Sequence, residues 1–193
     1  MATAASKDGM VDTFNDTGAF YFEDEHIGKL VQEVDDLGLS ASRESWKFFA
    51  HMINANPTVR QILHGFLESP NPYSCHTFGP EPLQVFCFWP KPDQSHRLVL
   101  SLWSPGTRLV LYQGAHKASL KAVPASNGLF EVPGASLKTH GSKPVPLNMP
   151  KGGIMITDVR LPFERKAGFT IAYSMERATA ERGNAFRAEI SDQ

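Results

Sequence analysis

The spacing of hydrophobic positions divides the chain into a helical front and a β-rich back. Between Glu23 and Asp36, apolar residues recur three and four positions apart, which is typical of an amphipathic helix, and Gly38 ends it. A second stretch, at about 42–54, repeats this spacing. Asn56-Pro57 supplies the cap and the first-turn proline of another helix. The pattern therefore predicts three helices before residue 70.

The pattern changes at Ser69-Pro70-Asn71-Pro72, a turn-rich sequence after which no long helical stripe recurs. Short β-type runs follow, separated by Pro, Gly, Asn and Ser clusters. These runs are 84–89, 97–103, 108–113, 129–132, 145–149, 153–159 and 168–175. Strands close in sequence pair as antiparallel neighbours and need a second layer over their apolar face, so the runs predict a β-sandwich or barrel partly covered by the helices.

The length of 193 residues, with 41% hydrophobic side chains, suits one core. We expect a single domain over 1–193. Within it, 1–13 is a flexible start, 14–69 the helical front, 70–177 the β core and 178–193 a charged tail.

Charge and hydropathy limit the classes of partner. The chain has 19 basic and 20 acidic residues, so it lacks the positive field that drives binding to nucleic acid. The first ten residues lack the apolar segment of a secretory signal, and no window is apolar enough to cross a bilayer. We expect a cytoplasmic protein with no membrane partner. Cys75 and Cys87 fit neither a redox pair nor a zinc site and are predicted to be ordinary thiols.

Several fragments, in this order, resemble the phytanoyl-CoA dioxygenase-like family of the Fe(II)/2-oxoglutarate-dependent dioxygenase superfamily. They are Phe14–Phe22 with the helix end at 34–38, Leu98–Trp103 followed by Tyr112-Gln-Gly-Ala-His-Lys117, and Pro150–Arg160. The resemblance implies a double-stranded β-helix, a cupin-like jelly roll of two facing antiparallel sheets flanked by about three α-helices. This mainly-β architecture agrees with the hydrophobic pattern.

The family's iron ligands are missing from the sequence. The resemblance implies a His-x-Asp or His-x-Glu pair, whose members share one face of a strand, and a distant second histidine. No histidine here has a carboxylate two positions on. The residues after His26, His51, His64, His76, His96, His116 and His140 are Gly28, Ile53, Phe66, Phe78, Leu98, Ala118 and Ser142. Phe163 stands where the family would have its second histidine, so we predict no metal site.

Phe163 is expected to fill volume that iron and its cosubstrate would need, if it faces inward. For the arginine that binds 2-oxoglutarate in the family, Arg177 is the nearest candidate. The alternative for Arg177 is a solvated side chain at a strand end.

Other polar residues near these motifs are candidates for a pocket. His116 is expected to have a structural hydrogen-bonding role. Asp158 and Arg160 alternate along one strand face and are expected to form an ion pair at the barrel mouth, or a solvent-exposed pair of little energetic value. Glu164 and Arg165 are predicted to lie in a solvated, charged loop.

Three functions are consistent with these residues. The first is a non-catalytic, metal-less subunit, similar to the partner subunits of heterodimeric fungal natural-product dioxygenases. It would support an iron-binding homologue in secondary-metabolite, for example meroterpenoid, biosynthesis. In that case Fe(II) and 2-oxoglutarate belong to the partner, and this chain has neither a cofactor nor catalytic residues.

The second function is a cofactor-free isomerase or cyclase that binds a small molecule in the emptied barrel, with polar groups such as Arg108, Tyr112, His116 and Arg160. The third is an atypical Fe(II)/2-oxoglutarate dioxygenase with ligands drawn from His76, Asp93, His96 and His140. Nothing in the spacing of those four residues supports a metal site.

Overall fold

Five α-helices and two facing β-sheets make up the computed structural model, which describes residues 7–42, 44–67, 70–91 and 98–177. The helices are α1 (Lys7–Thr17), α2 (Glu25–Asp36), α3 (Ser45–Ala55), α4 (Pro57–Phe66) and α5 (Gly134–Thr139), with a 3-10 turn at Ala115–Lys117. None of the helices in the described ranges combines the length and apolar character needed to cross a membrane.

The strands pair antiparallel throughout the described ranges. They are β1 (Ala19–Glu23), β2 (Pro70–Phe78), β3 (Glu81–Cys87), β4 (Leu98–Trp103), β5 (Thr107–Gln113), β6 (Val123–Pro124), β7 (Phe130–Glu131), β8 (Lys143–Met149), β9 (Gly153–Asp158), β10 (Phe163–Ala167) and β11 (Thr170–Arg177). One sheet has the order β1-β9-β4-β11-β2, and the other has the order β6-β7-β3-β10-β5-β8.

The path of the chain defines the fold. From β2 to β5, and again from β8 to β11, each strand lies in the opposite sheet from the strand before it. Two antiparallel sheets linked in this way form a double-stranded β-helix. The predicted fold class is confirmed.

The five-stranded sheet separates two cores, as strand β4 shows. Leu98, Leu100 and Leu102 belong to the cluster that includes helices α1 to α4, whereas Val99 and Trp103 belong to the cluster between the sheets. Successive residues of a strand face opposite sides, so a strand covered on both sides is apolar throughout. We call the space between the two sheets the barrel interior.

The three predicted helices are confirmed as α2, α3 and α4. Asp24 caps α2 by accepting hydrogen bonds from the backbone of His26 and Ile27, at 3.0 and 3.1 Å. Asn56 caps α4 in the same way. Helix α2 approaches the turn before β9 so closely that a β-carbon on Gly28 would lie 2.1 Å from the Lys151 carbonyl oxygen.

Several elements differ from the prediction. Helix α1 begins at Lys7, within the expected flexible start, and β2 begins within the expected turn at 69–72. Its prolines are tolerated because β2 lies at a sheet edge, where a missing N–H breaks no ladder. The prediction of a charged loop at Glu164 and Arg165 is wrong, because both belong to β10, between β3 and β5. The tail at 178–193 and Arg97 lie outside the described residues.

Both cysteines, Cys75 and Cys87, are free, as predicted. Cys87 is fully buried. Burial raises the pKa of its thiol to about 12, so the thiolate is disfavoured near neutral pH.

Leu83 in β3 has a strained backbone and an exposed side chain. Its φ angle is 72°, and its side chain is 93% exposed. Its backbone N–H donates to the Glu164 carboxylate at 3.0 Å, where the pairing of β3 with β10 shifts register. A left-handed conformation costs a non-glycine residue roughly 1–2 kcal/mol. The chain therefore keeps a leucine where glycine would fit better.

We expect Leu83→Gly to raise the free energy of unfolding by roughly 0.5–1 kcal/mol. The free energy gained by relieving the backbone strain exceeds the cost of the extra conformational entropy that glycine gives the unfolded chain. Leu83→Ala is the matched control, because it removes the exposed side chain but keeps the β-carbon, and it should give no gain. Urea unfolding of the three proteins measures the difference. A Leu83→Gly protein no more stable than Leu83→Ala would show that the backbone is not strained.

Candidate functional site

Phe163, the first residue of β10, lies in the barrel interior. It is 4% exposed and belongs to the cluster between the sheets. Its ring stacks on that of Phe88, which follows β3, at a centroid distance of 5.7 Å and an interplanar angle of 26°. Phe78 from the opposite sheet packs edge-on against Phe88 at 5.8 Å. Aromatic side chains thus fill the space around Phe163.

Arg165 also lies in the interior, contrary to the predicted solvated loop. Residues two apart on a strand share a face, so Arg165 faces the same way as Phe163. Its side chain is 1% exposed. Its Nε donates to the Gly79 carbonyl at 2.9 Å, and its Nη2 donates to the Glu81 carboxylate. Its Cζ lies over three ring centroids, those of Phe78 at 4.9 Å, Phe86 at 5.2 Å and Phe163 at 5.7 Å.

The residues around Phe163 and Arg165 do not fit an iron ion. Phenylalanine offers no ligand atom, and a guanidinium is a donor that repels cations. Within the described ranges, no group of three or more His, Cys, Asp or Glu side chains is arranged to hold a metal. Of the four ligands considered from sequence, Asp93 and His96 lie outside the described residues.

Arg108 and Tyr112 lie on the outer face of the six-stranded sheet. Arg108 is exposed. Tyr112 packs against the cluster that includes Cys87 and Leu120, and burial raises the pKa of its hydroxyl. Arg177 belongs to the end of β11, where its backbone pairs with Pro70, but its side chain lies outside the described part of the molecule.

His116, Asp158 and Arg160 line one cavity of about 280 Å³ on the helical side of the five-stranded sheet. The predicted ion pair is present, because Arg160 donates to both carboxylate oxygens of Asp158, at 2.8 and 2.6 Å. The expected location at the barrel mouth is not what the structure shows. Asp158 pairs with Leu98, whose side chain faces the helices, and Phe14 of α1 lines the same cavity.

His116 contacts the end of helix α1 and the glycine that follows it. Its Nε2 donates to the Asn15 carbonyl at 3.1 Å, with the tautomer assigned from this contact. Its ring packs against Gly18, where a β-carbon would lie 2.4 Å from Nδ1. Burial lowers the pKa of His116, and the nearby Asp158 carboxylate partly opposes this effect. These contacts favour the predicted structural role.

A second cavity, of about 270 Å³, opens at the end of the barrel near Phe88. We call it the mouth cavity. Four uncharged polar side chains from β2 and β11 line one side of it, those of Tyr73, Ser74, His76 and Ser174. Ser74 and Ser174 are directly opposite each other in the strand pairing. Burial lowers the pKa of His76, which favours the neutral imidazole.

Apolar groups line the other side of the mouth cavity. They are the rings of Phe88 and Trp89 after β3, Leu129 before β7, and Val159 after β9. The backbone N–H of Trp89 donates to the Val159 carbonyl at 2.9 Å, which joins the two sheets at this end. Sequence reasoning missed this cavity. Its one local signal was the alternation of Ser74 and His76, just after the predicted turn at 69–72.

Solved structures share this fold. EctD from S. alaskensis, in its apoform, aligns with a TM-score of 0.62 and 11% identity, over 92% of this chain and 80% of that chain. SnoK, a non-heme alpha-ketoglutarate-dependent carbocyclase from nogalamycin biosynthesis, aligns with a TM-score of 0.60 and 12% identity, over 91% and 85%.

EvdO2 from Micromonospora carbonacea var. aurantiaca, in complex with 2-oxoglutarate, aligns with a TM-score of 0.58 and 16% identity, over 92% of each chain. At these identities the likeness shows the fold alone, that of a double-stranded β-helix. No family model matches the sequence, and no curated protein matches it.

We expect the protein to lose stability as the pH falls from 7 to 5, partly through His116. Its pKa is lowered in the fold, so the unfolded chain takes up a proton near the ordinary value of 6.5 while the folded chain resists. One such group contributes a slope of at most about 1.4 kcal/mol per pH unit. His116→Gln can still donate to Asn15 but does not titrate, so it should flatten the dependence. Unfolding in urea across this range tests this, and an unchanged slope in His116→Gln would contradict it.

Proposed function

We propose that this chain is a non-catalytic, metal-less dioxygenase-like subunit that supports the active site of an iron-bearing homologue. The observation that carries the proposal is the filled barrel interior. Phe163, at the position that resembles the family's second histidine, packs with Phe88 and Phe78, and the Arg165 guanidinium lies beside it.

The described residues keep the main parts of the fold around this filled interior. The crossing strand order, the capped helices and the helix-covered sheet are all present. A chain that keeps a scaffold but replaces the residues of its reaction centre suits a structural role beside an active relative. Fe(II) and 2-oxoglutarate then belong to the partner subunit.

The solved structures of similar fold suggest the biological setting. SnoK comes from nogalamycin biosynthesis, and EvdO2 was solved with 2-oxoglutarate. By analogy at the level of fold, we place this chain in natural-product biosynthesis, with the partner carrying out the 2-oxoglutarate-dependent step.

A cofactor-free isomerase or cyclase is the second candidate, and the mouth cavity is the observation that favours it. His76, as a neutral imidazole beside two serine hydroxyls, has the proton-donating and proton-accepting groups that such chemistry uses. Turnover by the purified, metal-stripped chain, lost in His76→Gln, would establish this candidate in place of the first.

We predict a stable complex with a homologue that carries His-x-Asp, encoded near this chain's own gene. Co-expression followed by gel filtration with light scattering should give a heterodimer. The homologue alone should lose most of its product formation, because its active site lacks support. The matched control co-expresses an iron-bearing relative from a different pathway, which should not bind. Absence of a complex with every such neighbour, or full activity of the homologue alone, would contradict the proposal.

A further inference from the structure

The lining of the mouth cavity differs in chemistry from that of a metal centre. One side, formed by β2 and β11, has three hydroxyls and one imidazole. The other side has two aromatic rings and two aliphatic side chains. A cavity of about 270 Å³ is just below the roughly 300–1,000 Å³ usual for ligand sites, so it suits a small ligand of one or two rings.

The lining carries no formal charge at neutral pH among the residues that the structure describes. Burial lowers the pKa of His76, which favours its uncharged form, and the side chains of Tyr73, Ser74 and Ser174 offer hydroxyl groups. An anionic ligand would lose its hydration without gaining a cationic partner there, which is costly. A neutral ligand loses little, provided that its polar atoms find hydrogen bonds.

The hydroxyl groups are placed where they can form hydrogen bonds with one edge of a ligand. Ser74 and Ser174 face each other across the β2–β11 pairing, and His76 lies two residues further along the same face of β2. Each hydroxyl both donates and accepts, and a neutral imidazole has one donor and one acceptor. This arrangement matches a hydroxyl, carbonyl or amide group on the ligand, while Phe88 and Trp89 offer surfaces for a flat ring.

We propose that the mouth cavity binds a neutral, ring-containing molecule with a hydroxyl, carbonyl or amide edge, and that it does so without a metal. The ligand's ring packs against Phe88 and Trp89, and its polar edge contacts Ser74, His76 and Ser174. This site belongs to the chain itself and does not depend on a partner subunit. The proposal therefore stands or falls separately from the heterodimer.

The test uses two probes that differ in charge but share one ring, 4-hydroxybenzamide and 4-hydroxybenzoate. Each is titrated into the metal-free chain, and the backbone amide signals of Ser74, His76 and Ser174 are followed by NMR. We expect saturable shifts with the neutral amide at a dissociation constant of about 1 mM, as suits a small probe. The carboxylate should bind at least roughly tenfold more weakly, because the lining residues that the structure describes offer its charge no cationic partner.

Variants locate the site. Ser174→Ala removes one hydroxyl and should weaken binding of 4-hydroxybenzamide by roughly three- to tenfold. Ser119→Ala, at an exposed serine on the outside of the molecule, is the matched control and should bind like the parent chain. Should Ser174→Ala fail to fold, His76→Phe at the exposed edge strand replaces it.

Three results would overturn the proposal. One is the absence of saturable shifts at the three amides up to about ten times the expected dissociation constant. Another is equal affinity for the amide and the carboxylate. The last is equal affinity in the parent chain and in the variants of the mouth cavity.

Discussion

The buried guanidinium of Arg165 is the interaction around which the barrel interior is packed. A buried charge is costly unless it is paired and hydrogen-bonded, and here the Glu81 carboxylate and the Gly79 carbonyl accept from it. Three ring faces supply further attraction, that of Phe78 from the five-stranded sheet and those of Phe86 and Phe163 from the six-stranded sheet. The cation thereby connects the two sheets through the space between them.

This arrangement has a direct consequence for metal binding. An ion at the position of the Phe163 ring would lie about 5.7 Å from the Arg165 Cζ atom. The Glu81 carboxylate, paired with the guanidinium, offsets part of its repulsion of such an ion. Among the described residues, the space around Phe163 is filled by aromatic rings and offers no ligand atoms that suit an iron ion. The mouth cavity lies at the end of this packed interior, so a cavity remains at the end of the barrel while the centre is filled.

The sequence predicted the parts of the structure that have a local signal. Asn56-Pro57 is a strong local signal for a helix start, and an apolar run such as 98–103 indicates a buried strand. It did not predict β10, because the inward Arg165 breaks the apolar alternation by which a strand is recognised. The prolines of β2 similarly suggested a turn. The same holds for the candidate sites. A sequence motif pointed to Phe163, whereas Ser74 and Ser174 are far apart in the sequence and come together only through the pairing of β2 with β11.

The most direct test of the central claim is anaerobic titration of Fe(II), with 2-oxoglutarate present, into the purified chain and into its Phe163→His variant. The filled interior predicts no stoichiometric iron in either protein, because restoring one ligand leaves the packing of Phe78, Phe88 and Arg165 in place. Stoichiometric, 2-oxoglutarate-dependent binding of iron by the parent chain would contradict the account.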